Sequence, residues 1–549
     1  MDYDALAELL FGDIDTTPDD IEKMYPQRQL KEGAMVTRIA PSPTGFVHFG
    51  NLFPAITCER MAHQSGGVFY LRIEDTDAKR QVPGAVEIIM KAFGSFGLNF
   101  DEGATIEGDV GAYGPYRQRQ REKIYKTFAK RLVKEGKAYP CFCSEDELKS
   151  IHEEQEKEKS NFGYFGKWAK CRNLSFEEIK KNIDEGKSFV LRFRSEGSCE
   201  NKIKFKDLVK GEIEVSENDI DHVLLKSDKI PTYHFAHVVD DHLMGTTHVV
   251  RGDEWLSTLP FHLQLFKALG WRTPKYLHIS PLMKLDGDSK RKLSKRKDPE
   301  AALTFYASEG YPSEAVYEYI LTLLNSGFED WRRANPDKSA REYPFQYKKM
   351  SVSGALFDIV KLNDVSKNYV SRLSAKEVYD AAAEWAREYD EEFYKLFTKN
   401  EDYTLSILSI GRGGKKPRKD FGIWGEIKGY MDFFFDELFD PDYCFDERFS
   451  KEDITDILRE YKDIYSEDDD NNLWFEKIRA LSEKHGFCKD VKAYKENPEA
   501  YKGHVGDVSM ILRIAVCGRT NSPDMYSVFK ILGKERLNER IDKALSFLH

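Results

Sequence analysis

The sequence predicts an α/β multidomain protein in which a parallel-sheet domain, split by an insertion, precedes an all-α half. Three observations carry this. A strand–loop–helix–strand pattern occupies residues 35–73. A stretch of different texture, 141–215, follows before apolar strand signals return at 222–225 and 248–251. Past about 310 the chain turns helical in pattern and rich in Glu, Lys and Tyr. At roughly 100–200 residues per domain, 549 residues make about three to five domains.

Composition excludes several classes. Hydrophobic residues at 41% allow buried cores, and charged residues at 32% exceed the roughly 25% of an average soluble chain. Disorder and collagen-like repeats are therefore out. No stretch approaches the roughly 20 apolar residues of a membrane helix. The start, MDYDALAELLFGDIDTTPDD, is acidic and has neither the basic-then-apolar layout of a secretory signal nor the Arg-rich look of a transit peptide. A soluble, cytoplasmic protein is the expectation. The net charge of −11 argues against a nucleic-acid coat protein, but leaves room for RNA met by a local basic face. Eight scattered cysteines do not look like a secreted disulfide framework.

Residues 1–34 read as an acidic helical extension, with a short helix from Pro18 to Tyr25 capped by Thr17. Met35 to Ala40 is a strand entering the turn Pro41-Ser42-Pro43-Thr44-Gly45. Leu52 to Ser65 carries apolar residues at near-helical spacing. Val68 to Ile73 is a second strand, ending in Glu74, Asp75 and Asp77. Within the insertion, Ser144 to Lys159 reads as a charged helix, and Phe189 to Arg194 and Ile213 to Val215 as strands. There is no internal repeat. In Gly411 to Lys419, Gly and Pro forbid a regular helix and five of nine residues are cationic. A solvated loop and a contact to RNA phosphates explain that segment equally well.

Two segments carry chemistry. In Arg38-Ile39-Ala40-Pro41-Ser42-Pro43-Thr44-Gly45-Phe46-Val47-His48-Phe49-Gly50-Asn51, a helix start offers unpaired N–H groups and a positive dipole end to phosphate. Gly45 and Gly50 permit close backbone approach, and His48 can donate to a phosphoryl oxygen. Alone, the segment reads equally as an ordinary connection with an incidental histidine. Lys290 to Lys297 is a charge run, commonly just solvated. Following Gly287, it also suits a cationic loop closing over a pyrophosphate.

Together the two resemble the HIGH and KMSKS signatures of class I aminoacyl-tRNA synthetases, as HFGN at 48–51 and KLSKR at 292–296. RIAPSPTGFVHFGN, LRIEDTD at 71–77 and PTYHFAHVVDDHLMGTTHVVRGDEW at 231–255 narrow the resemblance to glutamyl-tRNA synthetase of the bacterial type. The likeness is dense over 35–310, legible at FDIVKLNDVSKNYV, and reaches ILRIAVCGRTNSP at 511–523.

The resemblance implies a Rossmann-type catalytic domain in two halves, 35–140 and 221–310, around an acceptor-binding insertion at 141–220. It implies a helical stem-contact domain at 311–375 and a helical anticodon-binding domain at 376–549. It implies glutamate–tRNA ligase activity through glutamyl-adenylate, with L-glutamate, ATP with Mg²⁺, and tRNA(Glu) as partners, in a monomer. Charging of tRNA(Gln) stays open.

By the same resemblance, Arg38, Ser42, Tyr233, His237 and Arg251 surround glutamate, and Glu74 takes its α-amino group. His48 and Gly50 lie at the ATP phosphates, Glu254 and Trp255 near the adenosine, and Lys292 and Lys295 over the β and γ phosphates. His48, Lys292 and Lys295 would be catalytic. Physics agrees with the layout: two carboxylates and one ammonium need cations and one acid. An arginine facing an amide loses its ionic partner at a cost of roughly 2–5 kcal/mol, a discrimination on the order of tens to thousands.

The sequence departs from the family's pattern in places. His237 stands where Asn is usual, so an altered pocket for glutamine is the alternative to a conserved hydrogen bond. Cys141, Cys143 and Cys171 match a zinc knob of some relatives, but Asn173 stands where a fourth ligand, His, can occur. The sequence does not assign a metal. A non-catalytic tRNA-binding paralogue would lack His48, Lys295 or Arg251, and all three are present.

Overall fold

The computed structural model describes residues 1–43, 47–77, 82–294, 296–414 and 416–549. They form two compact units: Met1–Phe305 with Val316–Asp358, and Tyr306–Ala315 with Ile359–His549.

The first unit opens with two helices, α1 (Tyr3–Phe11) and α2 (Pro18–Met24). Asp2 caps α1, and Thr17 and Asp20 form a reciprocal capping box on α2. The parallel core follows. Strand β1 (Val36–Ile39) leads through helix α3 (Leu52–Ser65) to β2 (Val68–Leu71), paired in parallel from Val36↔Val68 to Ile39↔Leu71. Helix α4 (Ala85–Ser95) crosses to β3 (Glu102–Ala104), parallel to β2, and the short β4 (Asp109–Val110) turns back on it. Gly103, at φ +136°, lets β3 lie close to β2, because a Cβ there would sit 2.4 Å from the Leu71 carbonyl oxygen.

Helix α5 (Glu122–Lys134) leads into an antiparallel sheet. It holds β5 (Ala138–Cys141), and it continues after helices α6 (Glu145–Lys157) and α7 (Phe176–Asp184) with β6 (Val190–Phe193). Ser144 with Glu147 and Ser175 with Glu178 cap the two helices. A hairpin of β7 (Lys202–Asp207) and β8 (Gly211–Ser216) stands apart from that sheet. Strand β9 (Val223–Leu225) then pairs antiparallel with β6. The 222–225 strand thus differs in partner from its expected parallel sheet: its apolar run marks a strand, but cannot say which sheet it joins.

Helix α8 (Tyr233–Leu243) returns to the parallel core through β10 (His248–Gly252), followed by α9 (Leu259–Ala268) and β11 (Lys275–Ile279), parallel to β10. The Thr247 N–H donates to the Val36 carbonyl at 3.0 Å and ties β10 beside β1. The core order is therefore β3-β2-β1-β10-β11. Chain direction across the sheet reverses between β1 and β10, the place where open parallel sheets bind ligands beyond their carboxyl ends. A hairpin of β12 (Met283–Asp286) and β13 (Ser289–Lys292) follows.

The N-terminal helices are built into this unit. Leu6, Ala7 and Phe11 are buried, and Lys130 and Lys134 of α5 pair with Glu8. Arg28 makes a bidentate bridge to Glu102, both contacts 2.8 Å, donates to the Met244 carbonyl, and stacks on Tyr113.

The second unit is helical, as expected for the C-terminal half. Its helices run from Ile359–Arg372 to Met525–Leu548, the last broken at Gly533, where φ is +78°. One core joins them, rich in aromatic side chains such as Phe397, Trp424, Phe434, Tyr461, Trp474 and Phe529. Among the described residues no helix is long and apolar enough to cross a membrane.

Candidate active site

A cleft of about 1170 Å³ opens in the first unit beyond the carboxyl ends of β1 and β10. Arg38, Ser42, His48, Gly50, Glu74, Tyr233, Arg251, Glu254, Trp255 and Lys292 all line it. Residues more than 250 positions apart in sequence converge there because both strand ends open into it. His237 does not line it, and Lys295 and Gly45 lie outside the described residues.

One wall suits phosphate. Phe49–Asn51 forms a 3₁₀ turn that runs into α3. The Gly50 N–H donates to His48 Nδ1 at 2.9 Å, and the Asn51 side chain accepts from the His48 N–H at 2.9 Å. Nδ1 is therefore an acceptor, and the ring carries its proton on Nε2, a donor. Gly50 leaves the ring its place, since a Cβ there would come 3.0 Å from His48 Nδ1 and the ring would have to give.

The floor is a buried ionic network. Arg38 Nε lies 3.1 and 3.2 Å from the two oxygens of Asp241. Arg72, fully buried, donates to the same carboxylate at 2.6 Å and to Glu74 Oε1 at 3.2 Å. Asp240 accepts from Arg121 Nε at 2.7 Å, Gln118 at 2.9 Å and the Tyr125 hydroxyl. The adjacent Arg38 and Arg72 overcome burial at Asp241 and hold its carboxyl well below the usual range. Glu74 goes the other way: burial pushes it up to about 7, against the pull of Arg72 and Arg38. It is the acid in the cleft poised to change charge near neutrality.

Arg251, at the end of β10, is held differently. Its Nε donates to His278 Nε2 at 3.0 Å, Nη1 lies 2.9 Å from His262 Nδ1, and Nη2 contacts the Trp255 carbonyl at 3.3 Å. Among the described residues no carboxylate reaches ion-pair distance of it. Sequence reasoning passed over both histidines, because neither sits in a signature segment.

His237 stands behind the cleft wall, fully buried. Its Nδ1 is 2.9 Å from Asp241 Oδ2 and its Nε2 is 3.1 Å from the Tyr276 hydroxyl. Burial lowers its pKa to about 3, so the ring is neutral, gives its Nδ1 proton to Asp241 and accepts from Tyr276. At 237 the side chain braces Asp241, and its Nδ1 also lies 3.4 Å from Arg38 Nη2, so it supports the cleft arginine from behind.

Of the expected cationic loop, Lys290 to Lys292 belong to β13. Gly287, at φ +60°, makes the hairpin turn. Asp298 is the organiser that sequence reasoning missed. It takes a bidentate bridge from Arg291 at 2.6 and 2.8 Å and a 2.8 Å hydrogen bond from the Ser294 N–H. The Arg291 hydrogen bonds hold its carboxyl well below the usual range.

Away from the cleft, Cys141, Cys143 and Cys171 bring their sulfurs within 4.8 Å of one another. The Tyr164 hydroxyl lies 3.3 Å from Cys143 Sγ. The three thiols are donors of the kind zinc takes, and the phenol brings the number of donors to the four of a tetrahedral site. In the basic segment 411–419, Arg412 donates to the Val370 and Leu373 carbonyls and Arg418 pairs with Asp420, while Lys416 and Lys419 are exposed.

Comparison with known proteins places these features. Residues 34–364 match the family described as tRNA synthetases class I (E and Q), catalytic domain, and residues 421–545 match an anticodon binding domain. A glutamate–tRNA ligase of Acetivibrio thermocellus is 50% identical over 99% of this chain and 100% of its own length. One from Clostridium perfringens is 48% identical over the full length of both. Among solved structures, a glutamate tRNA ligase from Elizabethkingia meningosepticum, in complex with its amino acid, superposes with a TM-score of 0.76 at 29% identity, covering 94% of this chain and 100% of that one.

Proposed function

The chain belongs to the class I glutamyl-tRNA synthetases of the bacterial type, and on that premise we propose how its cleft residues divide the work of a glutamate–tRNA ligase. The reaction joins glutamate to ATP as glutamyl-adenylate, releasing pyrophosphate, and then passes the acyl group to the 3′ end of tRNA.

Glu74 takes the ammonium of glutamate. Arg38 shares Asp241 with Arg72, which bonds Glu74, so Arg38 lies on the ammonium's side and takes the α-carboxylate. Arg251 takes the side-chain carboxylate. Ser42 and Tyr233 complete the wall. The α-carboxylate oxygen attacks the α-phosphorus, and His48 Nε2–H stabilises charge on the phosphoryl oxygens. Gly50 gives the phosphates room beside the start of α3. Glu254 and Trp255 frame the adenosine. Lys292 and Lys295 stabilise the departing pyrophosphate as point charges.

Mg²⁺ enters as part of the ATP substrate. Among the described residues no cluster of three carboxylates waits at the cleft, so the triphosphate itself would carry the ion. Zinc would be held by Cys141, Cys143, Cys171 and Tyr164, where it would tie β5 to the 164–171 segment; none of the reaction is routed through it. The unit containing 421–545 would take the anticodon. We place the working enzyme in the cytoplasm, on its composition, and as a monomer, as the resemblance implies.

The observation that carries this assignment is Arg251, a buried cation with no carboxylate partner among the described residues. Arg251→Ala should raise the glutamate KM by roughly 10²-fold or more while leaving the ATP KM within a few-fold. Equal losses for both substrates would show that Arg251 is structural. The glutamine alternative rested on His237, and that side chain is occupied by Asp241 and Tyr276 behind the wall.

A further inference from the structure

We propose that His262 and His278 determine the preference for glutamate, by holding Arg251 with neutral acceptors that fix its position without offsetting its charge. The inference rests on the assignment of Arg251 to the side-chain carboxylate.

Hydrogen-bond logic sets both tautomers. A guanidinium only donates. His262 Nδ1, 2.9 Å from Arg251 Nη1, must therefore be bare, and its proton sits on Nε2. That nitrogen faces His234 Nδ1 at 2.9 Å and donates to it. His278 Nε2, 3.0 Å from Arg251 Nε, must be bare as well. Its proton sits on Nδ1 and is donated to Asp207 Oδ2 at 2.7 Å. Asp207, on the β7–β8 hairpin, also accepts from the Val209 and Lys210 N–H groups. The acid is thus spent on orienting His278 and stops one ring short of Arg251. Its other contacts, the Trp255 carbonyl and the Tyr276 ring, whose centre lies 4.7 Å from the guanidinium carbon, are neutral too.

The contrast with the buried arginines of the cleft floor gives the arrangement its meaning. Arg38 and Arg72 share Asp241, and Arg121 has Asp240. Arg251, at 6% exposure, is as enclosed as Arg38 at 4%, yet has imidazoles where they have carboxylates. A buried cation left without an anion gains most from a ligand that brings one. Glutamate brings it, and glutamine, equal in shape, does not. A carboxylate at position 262 or 278 would satisfy Arg251 internally and remove the reason to prefer the acid.

The test uses the full-length protein, with tRNA(Glu), ATP and Mg²⁺, and measures KM and kcat for glutamate and glutamine separately. His262→Asn retains a neutral acceptor and should keep the glutamate KM within about threefold. His262→Asp supplies a counter-ion and should raise the glutamate KM by about 100-fold, narrow the glutamate-to-glutamine ratio, and leave the ATP KM unchanged. Equal effects of Asn and Asp, or an unchanged ratio with Asp, would overturn the proposal. Arg251→Ala is the control. If it spares the glutamate KM, the assignment of Arg251 itself fails; if it raises KM while His262→Asp does not, only the present inference fails. Should His262→Asp not fold, as judged by its thermal melt, His278→Asn and His278→Asp pose the same question at the other nitrogen.

Discussion

At the scale of single residues, the site works by deciding which charges are compensated. Glu74 is held near a pKa of about 7 by burial, against the pull of Arg72 and Arg38. It must be ionised to receive an ammonium, so kcat/KM for glutamate should climb as pH rises through about 7, where the free enzyme's acid loses its proton. Glu74→Gln should be weaker throughout and should lose that inflection. A flat wild-type profile between pH 6 and 8 would contradict the role. His48 offers a second check. Gly50→Ala crowds Nδ1, with its new Cβ only 3.0 Å away, and should lower the activation rate about tenfold by turning the ring, with little change in the melt. The rim of the cleft was legible in the sequence, because signature segments place Arg38, His48, Glu74, Arg251 and Trp255 together. The support behind it was not. Arg38 and Asp241 are 203 residues apart, and a buried pair at that separation leaves no local pattern. The His237–Tyr276 contact leaves none either, since it joins helix α8 to strand β11, 39 residues on.

At the scale of elements, the 283–292 hairpin and the N-terminal helices each have a definite mechanical role. Asp298 fastens Arg291, and its backbone neighbour Ser294, to the base of the hairpin. Asp298→Ala should slow activation by about 10²-fold through misplacement of Lys292 and its neighbours, while glutamate affinity holds. A rate within twofold of wild type would show that the hairpin needs no such fastening. The N-terminal extension read as an acidic helical stretch of unknown purpose. Its helices were legible from Thr17 and Pro18; its docking was not, since the Arg28–Glu102 bridge joins a loop to a strand 74 residues on. That bridge is nearly buried, at 8% and 17% side-chain exposure, so Arg28→Ala should cost about 3 kcal/mol, read as a lower first unfolding transition. An unchanged transition would make the extension a surface appendage. Strand 222–225 shows the limit of pattern: its apolar run was visible, but its antiparallel partner β6 was not.

At the scale of the whole molecule, a net charge of −11 means that an RNA substrate has to be met by a local basic face and not by the surface as a whole. The division into an α/β unit and a helical unit followed from a change of periodicity and composition near 310, though the structure assigns 316–358 to the first unit. The decisive experiment is charging of purified tRNA(Glu) and tRNA(Gln) with labelled glutamate, ATP and Mg²⁺, with labelled glutamine in parallel. Glutamate should appear on tRNA(Glu) in an ATP-dependent reaction, with glutamine disfavoured by at least about 10²-fold, the worth of one uncompensated arginine. Glutamate on tRNA(Gln) as well would extend the substrate range without touching the amino-acid site. Glutamine attached as readily as glutamate, or no charging at all, would contradict a cleft organised around the unpaired charge of Arg251.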